Sequence, residues 1–234
     1  MKCVFKLSLS IFLCFAFFSW AAPDAGLVVG TNKYAGEVAN FALQPVPSPR
    51  GVLLVGSSTF KRWTNAVQDL APLPVTNRAF GGSQTSHQLM FFDQVVLPCH
   101  PKLIVWYCGS NDVKGKKEPQ SILQRTEEWL DKVMKYDSSI QVLLVSIHRC
   151  PQKHRDAQID VVDAVNRGYE EIARTKEGVF YVDVNPALQS PTGESRAELY
   201  VEDGLHLNVE GYRQMTTLLR PAIEKLWKMK ETKL

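Results

Sequence analysis

Residues 52–60 read Val52-Leu53-Leu54-Val55-Gly56-Ser57-Ser58-Thr59-Phe60. Four consecutive apolar positions mark a strand covered on both faces, and the glycine that follows allows a tight turn into a helix whose first residues carry hydroxyls. Four more short apolar runs follow: Val75 to Asn77, Leu103 to Tyr107, Val142 to Ile147 and Val179 to Val184. Between them, Ile122, Leu123, Trp129, Leu130, Val133 and Met134 recur at helical spacing behind Pro119, and Val162, Val165, Tyr169 and Ile172 form a second stripe. A third, from Val209 through Tyr212, Met215, Leu219, Ile223 and Leu226, predicts a C-terminal helix broken or kinked at Pro221. This alternation predicts an α/β fold, a five-stranded parallel sheet between two helical layers, with its ligand site at the carboxyl ends of the strands.

Upstream, Lys2 and Lys6 precede an apolar run from Leu7 to Trp20, and small residues at Ser19, Ala21 and Ala22 offer cleavage sites. Residues 1–21 are read as a signal peptide, which implies a secreted or periplasmic protein. The run is shorter than the roughly 20 residues of a membrane span, which weighs against an uncleaved anchor. Cys14 lacks the small residues expected ahead of a lipoprotein cysteine. Residues 22–50 read as a lead-in with one short helix, Tyr34 to Leu43, stopped by Pro45, Pro47 and Pro49. Residues 51–234 then form the main domain.

The composition, 45% hydrophobic and 22% charged in 234 residues, suits one folded domain and argues against disorder. Net charge is +3, and removal of Lys2 and Lys6 brings it near +1, which gives no support to nucleic-acid binding. Cys99, Cys108 and Cys150 remain after the leader. An odd number permits at most one internal disulfide, and the sequence leaves the pair open.

Four segments at the expected sheet edge hold groups with chemical potential. Ser58 stands where a helix begins, a position that suits a nucleophile and equally a cap. Asn77-Arg78-Ala79-Phe80-Gly81-Gly82-Ser83 has paired glycines that free backbone N–H groups to face a ligand. Gly109-Ser110-Asn111-Asp112 puts an amide at the same edge, able to donate to a negative oxygen. Near the C-terminus, Asp203-Gly204-Leu205-His206 sets a carboxylate three residues before an imidazole, so that Asp203 can accept from one ring nitrogen while the other faces a hydroxyl.

In order and context these four blocks resemble those of the GDSL/SGNH hydrolase family, over roughly residues 51 to 220. The resemblance implies a flavodoxin-like sheet and a serine esterase needing no metal or organic cofactor. Ser58 resembles the nucleophile, His206 the base, Asp203 its orienting carboxylate, and the Ser58 N–H, Gly82 and Asn111 the oxyanion hole. Glu202-Asp203-Gly204-Leu205-His206-Leu207-Asn208 with Gly211-Tyr212 is an especially close match. The first block departs from it, reading Gly56-Ser57-Ser58 where the family has Gly-Asp-Ser. Alignment on the glycine selects Ser58 over Ser57.

The reading is therefore a hydrolase of short-chain, acetyl-type esters of a small molecule or carbohydrate. A cell-envelope carbohydrate O-acetyltransferase shares the acyl-serine, and a silent binding protein shares the fold. The cluster His148, Arg149, Cys150, Lys153, His154 and Arg155 after the fourth strand is read as a solvated basic loop, with binding of an anionic substrate group as the alternative. Trp63 is a candidate for lining the substrate pocket, whereas Trp106 and Trp129 are expected in the core. His87 and His100 have no partner that the sequence names.

Overall fold

The apolar runs become five parallel strands among the described residues: β1 (Val52–Gly56), β2 (Val75–Asn77), β3 (Leu103–Tyr107), β4 (Gln141–Val145) and β5 (Val179–Val182). The computed structural model describes residues 33–229, so the expected signal peptide over residues 1–21 lies outside them. β1 and β3 are buried along their whole length, which is why they read as unbroken apolar runs, while β2 and β5 lie at the edges and are half-exposed. The strand order is β2-β1-β3-β4-β5. That is the flavodoxin-like order, in which the chain reverses its direction of winding between β1 and β3 and opens a crevice at their carboxyl ends.

Successive side chains leave a strand on opposite faces, and the core divides accordingly. Leu53, Val55, Ile104, Trp106, Val142 and Leu144 meet the helices Pro119–Tyr136 and Ile159–Thr175, and Trp106 lies 4.3 Å from Trp129 between ring centroids. Val52, Leu54, Leu103, Val105, Leu143 and Val145 meet the helix Val209–Lys228. Each fully buried aliphatic side chain in these layers contributes about 1.5–3 kcal/mol relative to exposure. The lead-in segment joins the first layer, for residues 33–39 are helical and Tyr34, Val38 and Phe41 are buried against it.

Two expectations are corrected here. The C-terminal helix is not broken at Pro221, because Leu219 and Ile223 on either side of it are fully buried and Arg220 donates to the Asp69 and Ala71 carbonyls. These contacts outweigh the roughly 3 kcal/mol that proline costs within a helix. Trp63 is chiefly a core residue, 2% exposed, stacked on Tyr212 and donating its indole N–H to Asp69, and the groove that it helps to line, with Lys61, Asn77 and Ala79, includes none of Ser58, Asp203 and His206. The possible disulfide is also settled, since Cys99, Cys108 and Cys150 are all free and buried.

Candidate active site

β1 ends at Gly56, whose φ of +148° and position admit no side chain, because a Cβ there would lie 2.0 Å from the Tyr107 carbonyl oxygen. Glycine thus lets β1 and β3 stay in contact to their last residues. Ser57 follows in extended conformation, buried, with its N–H bonded to the Tyr107 carbonyl at 3.0 Å. Ser58 opens the short helix Ser58–Lys61, so its N–H is one of those that a helix leaves without an acceptor in its own turn. Its hydroxyl does not cap the helix. It lies 2.8 Å from His206 Nε2.

The His206 ring is fixed from its other side, with Nδ1 2.6 Å from Asp203 Oδ2. The second carboxylate oxygen of Asp203 accepts the Leu205 and His206 N–H groups at 2.8 and 2.9 Å, so the turn closes on the carboxylate that orients the ring. Partial burial pushes the Asp203 carboxyl up, but the bonds from the His206 ring and from these N–H groups outweigh it and hold the group down at about 2. Asp203 is therefore a carboxylate throughout the neutral range.

The paired-glycine segment and the Asn111 block meet in front of Ser58's strand. Asn111 Nδ2 donates to the Ser83 carbonyl at 2.9 Å, and Gln84 Nε2 donates to the Asn111 carbonyl at 3.2 Å. An amide nitrogen carries two hydrogens, so this bond fixes the Asn111 side chain and leaves one donor. Asp112 anchors the same contact from beneath, accepting from the Thr85 N–H and hydroxyl. Burial pushes the Asp112 carboxyl up, against these bonds. Gly82 has φ +77°, its carbonyl accepts the Tyr34 hydroxyl at 2.8 Å, and its N–H donates to no protein group among the described residues. Gly81 N–H meets Glu37, which is ion-paired with Lys61 at 2.7 Å.

Ser58, His206 and Asp203 are thus in direct contact, and Gly82 and Asn111 lie on neighbouring segments joined through Ser83. A groove of about 760 Å³ at the opposite end of the sheet, beside Lys102, Gln141 and Val179, includes none of them.

The basic cluster after β4 is partly helical and only partly solvated, with His154 and Arg155 exposed and the rest buried or half-buried. Residues Pro151–Arg155 form a helix, and His148, Cys150, Gln152 and Lys153 are buried. Burial of the apolar and polar atoms alike follows from its seat between the Asn111 block and the Asp203 turn: Lys153 Nζ donates to the Ser110 carbonyl and Arg155 to the Asp203 carbonyl. From sequence, Lys153 and Arg155 are read as part of a solvated loop or an anion-binding group and these contacts are not foreseen, since charge density reads as exposure, and Tyr34 is given no part in the site. The one signal available was Cys150 three residues before Lys153, an apolar position sharing its helical face. His87 and His100 also find partners, His87 accepting the Gln84 N–H and His100 lying 2.6 Å from the Tyr136 hydroxyl.

Residues 48–214 match the model of the GDSL-like lipase/acylhydrolase family. The chain belongs to that family. It is accordingly a hydrolase of carboxylic esters. No sequence match was found among curated proteins. Solved structures similar to this family member include a protein from Streptococcus pneumonia (TM-score 0.71, 21% identity, 85% of this chain and 94% of that one). A GDSL-like lipase from Bacteroides thetaiotaomicron (TM-score 0.66, 21% identity, 83% and 97%) and a carbohydrate esterase family 3 protein from Talaromyces cellulolyticus (TM-score 0.59, 17% identity, 76% and 97%) also align. At such identities the likeness is one of fold. No helix among the described residues is long and apolar enough to cross a membrane.

Proposed function

We propose that this family member is a serine esterase that cleaves short-chain, acetyl-type esters of small alcohols or carbohydrates through an acyl-serine intermediate. The observation that carries the reading is the unbroken contact from the Ser58 hydroxyl through both His206 nitrogens to Asp203, at 2.8 and 2.6 Å. His206 Nε2 takes the Ser58 proton as Oγ attacks the ester carbonyl, and Asp203 stabilises the imidazolium that forms. The Ser58 and Gly82 N–H groups and the free Asn111 amide hydrogen surround the oxyanion. The imidazolium then protonates the departing alcohol, and water, activated by His206 in turn, releases the acid.

A small acyl group is supported by the brevity of two of the four loops that bear the site. One residue separates β1 from the Ser58 helix, and two separate β3 from the helix Ser110–Lys114. Neither supplies a lid for a long chain. The carbohydrate esterase among the fold relatives points toward the same substrate class. With residues 1–21 as a leader and 22–50 as a lead-in to the unit 51–234, the enzyme would act outside the cytoplasm.

The test is a p-nitrophenyl ester series from acetate to octanoate, run with Ser58→Ala and His206→Ala. Acetate is expected to turn over fastest and both variants to be nearly inactive; full activity in Ser58→Ala overturns the reading. Added sugar acceptors separate release of free acetate from acyl transfer, and dominant transfer would replace hydrolysis with O-acetyltransferase activity.

A further inference from the structure

The helix Pro151–Arg155 touches both halves of the proposed site without reaching the reacting atoms. Lys153 is 0% exposed, and its Nζ donates to the Ser110 carbonyl at 2.9 Å and to Gln158 Oε1 at 3.1 Å. Ser110 is joined by that same peptide group to Asn111, so the ammonium fixes the backbone from which the Asn111 amide projects. On the other side, the Gln152 N–H donates to the Gly204 carbonyl at 2.9 Å and Arg155 Nη2 to the Asp203 carbonyl at 2.8 Å. Gly204 makes this approach possible: its φ is +66°, and a Cβ there would lie 2.7 Å from Arg155 Nη1 and 3.3 Å from the Pro151 side chain.

A buried ammonium is costly unless bonded, and an apolar side chain of similar length would cover the same surface without that cost. Burial pulls the Lys153 pKa down, against the neighbouring Cys150 and Asp156. What the cation supplies and an apolar side chain does not is a charge-assisted bond of fixed direction to the Ser110 carbonyl. Arg155 is exposed, so its bond to the Asp203 turn adds geometry more than burial.

We propose that Lys153 and Arg155 are positioning residues for the esterase reaction, Lys153 acting through Asn111 and Arg155 through Asp203 and His206. One helix thereby sets the oxyanion donor and the base relative to each other. The inference rests on the functional reading above. Displacement of about 1 Å between catalytic groups costs up to roughly a hundredfold in rate, which is the scale on which such a brace acts.

The experiment uses the full chain with p-nitrophenyl acetate, Ser58→Ala as control, and kcat, KM and melting temperature for each variant. Lys153→Met is expected to lower kcat about 10- to 100-fold with KM within about twofold, the signature of an effect on the transition state. In an Asn111→Ala background the same change should cost less than about threefold, because residues acting through one another are not additive. Arg155→Met should lower kcat about tenfold at an unchanged melting temperature, and Arg155→Lys should recover most of it. Additive losses for Lys153→Met and Asn111→Ala, or wild-type kcat in Arg155→Met, overturn the proposal. Should Lys153→Met not fold, the Arg155 pair decides. An active Ser58→Ala would overturn the functional reading, whereas an inactive Ser58→Ala beside a fully active Arg155→Met overturns the brace alone.

Discussion

Asp203 grips His206 twice, by the ring Nδ1 at 2.6 Å and by the backbone N–H at 2.9 Å, one carboxylate oxygen for each. The same carboxylate therefore shapes the turn and chooses the tautomer. With Asp203 ionised, Nδ1 carries the proton and Nε2 presents a lone pair to Ser58.

Asp203→Asn separates these two duties. The amide oxygen still accepts the backbone N–H groups, but its NH2 then faces Nδ1 and drives the ring proton to Nε2, where it blocks removal of the Ser58 proton. We expect kcat on p-nitrophenyl acetate to fall by about 10³–10⁴-fold with little change in melting temperature. Because Asp203 is held at about 2, its own titration adds no limb to the wild-type rate profile above about pH 4. Steady-state kinetics and a pH–rate profile check both statements, and a loss below tenfold would remove Asp203 from the mechanism.

Asn111 spends one amide hydrogen on the Ser83 carbonyl and keeps the other. If the second meets the oxyanion, the bond forms only as charge develops, so Asn111→Ala should lower kcat by about 10²–10³-fold while KM stays near wild type. Equal losses in KM alone would mean that the amide binds the ground state and does not distinguish it from the transition state.

Much of this architecture was legible because strands buried on both faces write themselves as consecutive apolar residues. Val52 to Val55 and Leu103 to Tyr107 are such runs, and the chemistry-bearing blocks follow them directly. The neighbours of those blocks were less legible. Lys153 looks like a surface residue because its type usually is one, and only the tertiary placement of the Ser110 carbonyl gives its charge a buried partner. Pro221 looks like a helix end because local sterics say so, while Leu219 and Ile223 are held by a core that the local sequence does not contain. Tyr34 lies 48 residues from the carbonyl it bonds, a separation that no periodicity encodes.

That long-range bond makes the lead-in segment testable. Tyr34 donates to the Gly82 carbonyl at 2.8 Å while its ring rests against Phe80 and His87. Tyr34→Phe keeps the packing and deletes the bond. We expect a stability loss of about 1 kcal/mol by urea denaturation, together with a several-fold fall in kcat as the Gly82 turn loosens. An unaltered kcat at reduced stability would show that the lead-in supports the fold without setting the Gly82 turn.

His148 makes the fold acid-sensitive apart from any catalytic group. It is 1% exposed, its ring lies 4.8 Å from Tyr107 between centroids, and neither ring nitrogen has a partner among the described residues. Burial pushes its pKa down to about 3, with Asp183 opposing. The unfolded chain takes up this proton near pH 6.5 and the folded chain only near 3, so between those values unfolding binds a proton and stability falls with pH. From pH 6.5 to 5 the loss due to His148 is about 2 kcal/mol, and the full effect is developed only below pH about 3. His148→Leu removes the titration and, having no bonded partner to orphan, should cost little at pH 7. Urea midpoints at pH 7 and pH 5 should therefore lie closer together in the variant than in the wild type, the remainder coming from groups such as His87, whose pKa burial also lowers. Equal pH dependence in the two proteins would mean that His148 is charged, or solvated, in the folded state.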